Sequence, residues 1–335
     1  DEKGQKMSKS KGNVVNPMDM VIEYGADALR LGLVASRSAG QNQAFGVSRV
    51  VTGRNFANKL WNIARFVENV LPEDFSLGTP IPNSLADHWI VRQLDAAAET
   101  VSEQLENYRF AEASETVYHA IWDDVADWYI EASKKQPNPQ LLGWVLDTVL
   151  RLAHPFAPFV TETIWQTLGW HNDELLIRSH WPKKLKYNDI AAGEFEQLQT
   201  LVLEARYVLS ELPAGKKYNL LYQEDALIDD NHELIVWLAR LGEAKKVDQA
   251  KGLRLAASNR EAWLDLDEST LYEHQTNLEK RLVETRKVVA NLSGRLDNAR
   301  YVNQAPEHLV DETRAQLAEK QELIQRLERE LDVLN

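Results

Sequence analysis

From residue 269 onward the apolar residues fall into heptads. Leu278, Leu282, Thr285, Val289, Leu292 and Leu296 step by four and three; after a break, Leu317, Lys320, Ile324, Leu327, Leu331 and Leu334 step by three and four. A stripe with this period is buried only against another helix, so the segment must pair. Pro306 follows a short loop at 303–305 and stands where a first helical turn tolerates proline. The expectation is an antiparallel coiled-coil hairpin of two matched helices, ~45 Å long at 1.5 Å per residue. The same heptads could join two chains. A partner helix already tethered by a short loop favours pairing within the chain, so a monomer is expected.

The remaining residues divide by pattern. Residues 51–182 read as long amphipathic helices: Phe56, Leu60, Ile63, Ala64 and Val67 recur at helical spacing, as do Val117, Ile121, Val125 and Trp128. Breakers at 71–83, 136–139 and 154–158 separate them, and a helical bundle is the natural answer. Residues 183–268 mix β-prone runs (218–222, Val247, 253–257) with helical ones (195–209, 233–241), which suggests a small α/β domain. Residues 1–50 hold a Lys/Ser/Gly loop, a helical stretch over 17–34 and a Gly/Gln/Ser-rich connector over 36–48. The expected fold class is mainly α: bundle, small α/β domain and terminal hairpin.

Composition excludes several functions. The chain has 335 residues and no cysteine, which removes disulfide scaffolds, thiol catalysis and cysteine-ligated metals. No apolar run suits a membrane span and the N-terminus lacks a signal-peptide core, so a cytoplasmic protein without a membrane partner is expected. The chain opens at Asp1 inside a charged loop, as a piece of a longer protein would. A net charge of −13 argues at first sight against nucleic acid.

The most informative string is Lys6-Met7-Ser8-Lys9-Ser10-Lys11-Gly12-Asn13. Its three lysines, two serines and flanking Gly4 and Gly12 describe a hinged cationic loop able to close over polyphosphate. The string resembles the KMSKS signature of class I aminoacyl-tRNA synthetases. Tyr24-Gly25-Ala26-Asp27-Ala28-Leu29-Arg30, Arg54 through Asn62 (Arg-Asn-Phe-Ala-Asn-Lys-Leu-Trp-Asn), Asp127-Trp128-Tyr129-Ile130-Glu131 and His154 through Phe159 (His-Pro-Phe-Ala-Pro-Phe) resemble the valine, isoleucine and leucine subgroup. The resemblance implies that Lys6 and Lys9 stabilise the phosphates of Mg-bound ATP during amino-acid activation, with Ser8 also at the nucleotide. It implies an anticodon-binding bundle at 51–182 and a tRNA-binding hairpin at 269–335. Isoleucine enzymes of this group commonly carry a cysteine zinc site, so the missing cysteines and the terminal hairpin, with residues 298–306 at its loop, point to the valine branch and predict no zinc. The isoleucine or leucine branch is the alternative. The implied substrates of the intact enzyme are ATP, valine and tRNA(Val). The chain contains no HIGH-type motif, so alone it is expected to be inactive.

Projected at 100° per residue, Leu60, Ile63, Ala64 and Val67 form the core face of one helix, while Asn55, Lys59, Asn62 and Phe66 are read as its opposite face. An aromatic in line with a lysine and two amides suits single-stranded RNA, where bases stack on the ring. The competing reading packs Phe66 against a neighbouring helix. Trp122, Trp128, Trp144 and Trp165 read as bundle core, and Asp123, Asp124 and Asp127 as a solvated face, with no metal site expected. Arg281, Arg286, Lys287, Arg295 and Arg300 alternate with acids and read first as a salt-bridged surface. A second class of function is a non-catalytic tRNA-binding or coiled-coil module, which leaves the lysine loop without purpose.

Overall fold

The computed structural model describes residues 1–2, 4–35, 44–249 and 251–334, so most of the connector at 36–48 lies outside the described residues. The chain forms two compact units, Asp1–Glu196 and Gln197–Asn335.

The first unit is helical throughout. After the lysine loop come α1 (Pro17–Tyr24), α2 (Ala26–Val34), α3 (Val47–Val70), α4 (Leu85–Glu106) and α5 (Phe110–His119). A π-helical stretch, Ala120–Tyr129, leads into α6 (Ile130–Ser133), followed by α7 (Pro139–Ala153) and α8 (Pro158–Leu168). The division between units falls within α9 (Asp189–Glu211). The three breaker segments each separate two helices, as the sequence predicts. The stretch at 17–34 is not one helix: Gly25 adopts φ +92° and breaks it into α1 and α2. Phe56, Leu60, Ile63, Ala64 and Val67 are buried, as are Val117, Ile121 and Val125. Small residues set the α2–α3 packing: a Cβ on Gly53 would lie 2.5 Å from the Ala28 carbonyl oxygen.

Two buried polar knots fix the bundle. Asp87, fully buried on α4, accepts from the Tyr129 hydroxyl at 3.0 Å, from Asn138 Nδ2 at 2.7 Å and from the Asn83 N–H at 3.1 Å. Asn138 in turn caps α7 by accepting from the Leu141 N–H at 3.2 Å. In the second knot, Asp27 of α2 accepts from the Phe159 and Val160 N–H groups at 3.2 and 2.6 Å. It thereby satisfies the first turn of α8, whose own N-cap, Ala157, has no side chain to do so. Arg30, one turn along α2, donates to the Pro155 and Phe156 carbonyls at 3.1 and 3.4 Å. Two strings far apart in sequence, around Asp27 and around Pro155, are thus the two halves of one joint. The Thr161 hydroxyl donates back to the Ala157 carbonyl and lies 2.8 Å from His154 Nδ1.

In the second unit, β1 (Leu220–Tyr222), α10 (Ala226–Ala239), β2 (Ala244–Lys246), β3 (Leu253–Arg254) and β4 (Ala262–Leu264) form a mixed sheet in the order β2-β1-β4-β3. β1 and β2 run parallel across α10, while β4 is antiparallel to both β1 and β3. The run 218–222 supplies β1. Val247 lies one residue past β2, and the run 253–257 pairs only over its first two residues. The hairpin consists of α11 (Glu268–Asp297) and α13 (Glu307–Leu334), joined by the short helix α12 (Ala299–Gln304). Leu278 and Leu282 pack with Leu327 and Leu331, with Leu323 and Ile324 alongside. Thr285 and Leu292 are buried, Val289, Leu296, Leu317 and Lys320 half-buried, and the side chain of Leu334 lies outside the described ones. The connection runs from Asn298 to Pro306, the span the resemblance gave for the hairpin loop; the narrower loop at 303–305 read from Pro306 covers only its end, because α12 fills the rest. There Tyr301 shares a hydrogen bond with Thr313 Oγ1 at 2.8 Å and donates to the Leu309 carbonyl at 3.2 Å, closing the tip.

Candidate phosphate loop and nucleic-acid interface

The lysine loop projects its cations. Lys6, Lys9 and Lys11 are exposed and Ser8 is half-buried. Lys9–Lys11 form one 3₁₀ turn, ended by Gly12 at φ +67°, whose N–H bonds the Lys9 carbonyl. Inside the loop the Ser8 N–H donates to Asn13 Oδ1 at 2.9 Å, and the Ser8 and Ser10 hydroxyls meet at 3.1 Å. Lys6, Ser8 and Lys9, the residues singled out from sequence, therefore stand on one short loop, with both lysines exposed. Point charges on such a loop can follow negative charge as it moves from one phosphate to the next.

A second surface lies along α3. Asn55 and Asn62 are exposed, but Lys59 and Phe66 are half-buried at its flank. Lys59 Nζ sits 4.8 Å above the Trp122 ring and 3.2 Å from Asp127 Oδ1. Phe66 lies beneath Lys134, whose Nζ is 5.6 Å from its ring centroid. Phe66 is thus neither fully packed into the bundle nor fully open to solvent. The rings continue sideways: Trp122 stacks on Tyr118 at 5.4 Å and 12°, and Tyr118 on Phe56 at 5.6 Å. These residues lie in the π-helical stretch, at whose end the Ile130 N–H reaches the Val125 carbonyl five residues back.

The outward crest of α3 is a different row from the one chosen by sequence. Arg54, Asn58, Trp61, Asn62 and Arg65 are all exposed, and Trp61 leaves 40% of its surface open. The signal was present: Arg54, Asn58, Trp61 and Arg65 repeat at four, three and four, opposite the buried stripe. Trp122 is half-buried under Lys59 and so is not bundle core; Trp128 and Trp144 are also half-buried, while Trp165 is buried. Trp89, which the periodicity did not single out, is the fully buried indole of α4.

Asp123, Asp124 and Asp127 do not converge. His119 Nδ1 meets Asp123 at 2.7 Å, Asp127 holds Lys59, and Asp124 is drawn inward, where burial, with help from Asp123, pushes its pKa up to about 6. Among the described residues no group of three or more His, Cys, Asp or Glu is arranged to hold a metal ion. No helix among them is long and apolar enough to cross a membrane. On the hairpin, Arg281 pairs with Glu211 and Arg286 with Glu328, so these two belong to a salt-bridged surface. Lys287, Arg295 and Arg300 are exposed, with Arg295 over the Tyr301 ring at 5.8 Å.

Three families match the chain. Residues 1–45 match "tRNA synthetases class I (I, L, M and V)", residues 87–221 "Anticodon-binding domain of tRNA ligase", and residues 271–335 "Valyl tRNA synthetase tRNA binding arm". With its lysine loop, helical bundle and terminal hairpin, the chain belongs to the class I aminoacyl-tRNA synthetases. Whole-length comparison narrows this. The chain is 35% identical over 347 residues to a valine--tRNA ligase of Streptomyces avermitilis, covering 99% of this chain and 39% of that protein. It is 33% identical over 344 residues to the valine--tRNA ligase of Thermotoga maritima, covering 98% of this chain and 39% of that protein. With the Geobacillus stearothermophilus valine--tRNA ligase it shares 40% identity over 228 residues, 63% of this chain and 26% of that protein. Within the class, its place is the valine--tRNA ligase branch. The chain spans about two fifths of the length of the first two relatives.

Proposed function

We propose that this chain is the tRNA-binding portion, with the phosphate loop attached, of an enzyme that activates valine with ATP and esterifies it to tRNA(Val). The observation that carries the reading is the union, in one chain, of a loop with Lys6 and Lys9 exposed and a match to the valyl tRNA synthetase tRNA binding arm. In this reading four parts divide the work: 1–50 as loop and connection, 51–182 as anticodon-binding bundle, 183–268 as a small domain, and 269–335 as the hairpin.

Lys6 and Lys9 act as charge on the phosphates, neutralising the pyrophosphate as it leaves the α-phosphate, and Ser8 adds a hydroxyl beside them. Mg2+ enters with ATP as part of the substrate. The first unit binds RNA along α3: Asn55 and Asn62 take base edges, Lys59 takes phosphate, and Phe66 stacks a base. Trp61, with Arg54 and Arg65 on the same crest, widens that surface. Lys287, Arg295 and Arg300 on the hairpin meet the phosphate backbone of the outer corner of the tRNA. The enzyme works in the cytoplasm as a monomer.

Binding of the chain to unmodified transcripts carrying valine, isoleucine or leucine anticodons tests the RNA half of this reading. The expected result is tightest binding to the valine transcript, with loss on Phe66→Ala at unchanged folding. Preference for the isoleucine transcript would overturn the choice of branch, and equal binding to all three would remove anticodon reading from the bundle.

A further inference from the structure

The lysine loop is held by a side chain outside its lysines. Asn13 Oδ1 accepts the Ser8 N–H at 2.9 Å, while Asn13 Nδ2 donates to Asp1 Oδ2 at 2.8 Å and reaches the Lys6 carbonyl at 3.4 Å. One carboxamide thus bonds the backbone on both sides of Met7, between the two lysines. Gly12, in the left-handed region at φ +67°, turns the chain so that Asn13 can face back into the loop. Asp1 sets which way the amide points: its other oxygen accepts the Gln5 N–H at 2.8 Å, so the carboxylate is itself fixed and demands a donor from residue 13.

We propose that Asn13 is the positioning residue of the phosphate loop, with Asp1 orienting its amide. The proposal rests on the reading of Lys6 and Lys9 as the groups that meet ATP phosphates. Asn13 touches no phosphate. It restricts the backbone between Lys6 and Ser8, so fewer loop conformers must be given up when two cations converge on one polyphosphate. An alanine would leave the Ser8 N–H and the Lys6 carbonyl to water. An aspartate keeps the acceptor for Ser8 but loses both donors and sets a carboxylate against Asp1.

The test uses the full-length enzyme carrying this sequence, as wild type, Asn13→Ala, Asn13→Asp, Lys9→Ala and the Asn13→Ala/Lys9→Ala double variant. Valine-dependent ATP–pyrophosphate exchange gives KM for ATP and kcat, and tRNA binding serves as the control. Asn13→Ala should raise KM for ATP and lower kcat/KM by about ten-fold or more, the scale of one or two lost hydrogen bonds, with tRNA affinity unchanged. Asn13→Asp should be impaired as strongly, and it carries the test if the alanine variant folds poorly. Because Asn13 acts through the lysines, the double variant should be no worse than Lys9→Ala to within about two-fold. Normal exchange in both Asn13 variants, or fully additive losses, would overturn the proposal while leaving the phosphate loop in place. An unaffected Lys9→Ala variant would overturn the phosphate reading itself, and the positioning role with it.

Discussion

Asp87 shows what a single residue contributes to this bundle. A fully buried carboxylate is tolerated because Tyr129, Asn138 and Asn83 all donate to it. Burial and the adjacent carboxylate push the Tyr129 hydroxyl well above its usual pKa, so it remains a donor at any ordinary pH. Tyr129→Phe should cost about 1–2 kcal/mol in urea unfolding, and Asp87→Ala about 3 kcal/mol, since it strands several donors at once. Asp124 makes a pH prediction. Its folded pKa of about 6 lies above its unfolded value of 3.8, so the protonated form favours folding. That contribution is complete below pH 4 and is lost as pH rises through 6. Asn at this position should therefore stabilise the bundle at pH 7 by roughly 1–2 kcal/mol after solvent screening, and by nearly nothing at pH 4. The Asp87 partnership is not visible in the sequence, because Asp87 and Tyr129 lie 42 positions apart. The buried stripe of α3 was legible from period alone. The row Asn55, Lys59, Asn62 and Phe66 is not the fully outward one, because Lys59 and Phe66 meet Trp122, Asp127 and Lys134, whose positions the period does not give. Trp61 on the true crest should matter: Trp61→Ala is expected to weaken tRNA binding by about 1–3 kcal/mol, read by filter binding or anisotropy, with the fold intact.

At the scale of elements, the hairpin was the most legible part. Its heptads name both helices and most of the buried positions, since a 3.5-residue period marks the face that must be buried against another helix. The tip was not legible: Tyr301 and Thr313 lock it through side-chain hydrogen bonds, and α12 is too short to carry a period. Leu327→Ala, deep in the seam beside Leu278, should destabilise the second unit by about 2–5 kcal/mol, measured by thermal or urea unfolding. The small sheet was only half legible. Strands of two or three residues offer no alternation to detect, and β4 is held by pairing to β1 and β3 on either side rather than by its own pattern. The joint between α2 and α8 is a lesson of the same kind. Ala157 gives no cap signal because the cap, Asp27, comes from another helix.

Over the whole molecule, the acidity is unevenly placed. Residues 1–50 carry 7 Lys and Arg against 5 Asp and Glu, while residues 51–190 carry 12 against 19. The end with the lysine loop is net positive and the bundle is net negative, so the proposed RNA contact has to rest on a narrow row along α3 rather than on a broad basic field. Affinity for tRNA should fall only modestly with salt, as expected for few phosphate contacts. The division into a phosphate-handling end and RNA-handling helices is the central claim, with valine as the amino acid served. Its most direct test is ATP–pyrophosphate exchange by the full-length enzyme with valine, isoleucine and leucine in turn, alongside the Lys9→Ala variant. The account predicts strong exchange with valine alone among the three as preferred substrate, collapsing in the lysine variant while tRNA affinity stays the same. Exchange driven best by isoleucine, or untouched by loss of Lys9, would contradict it.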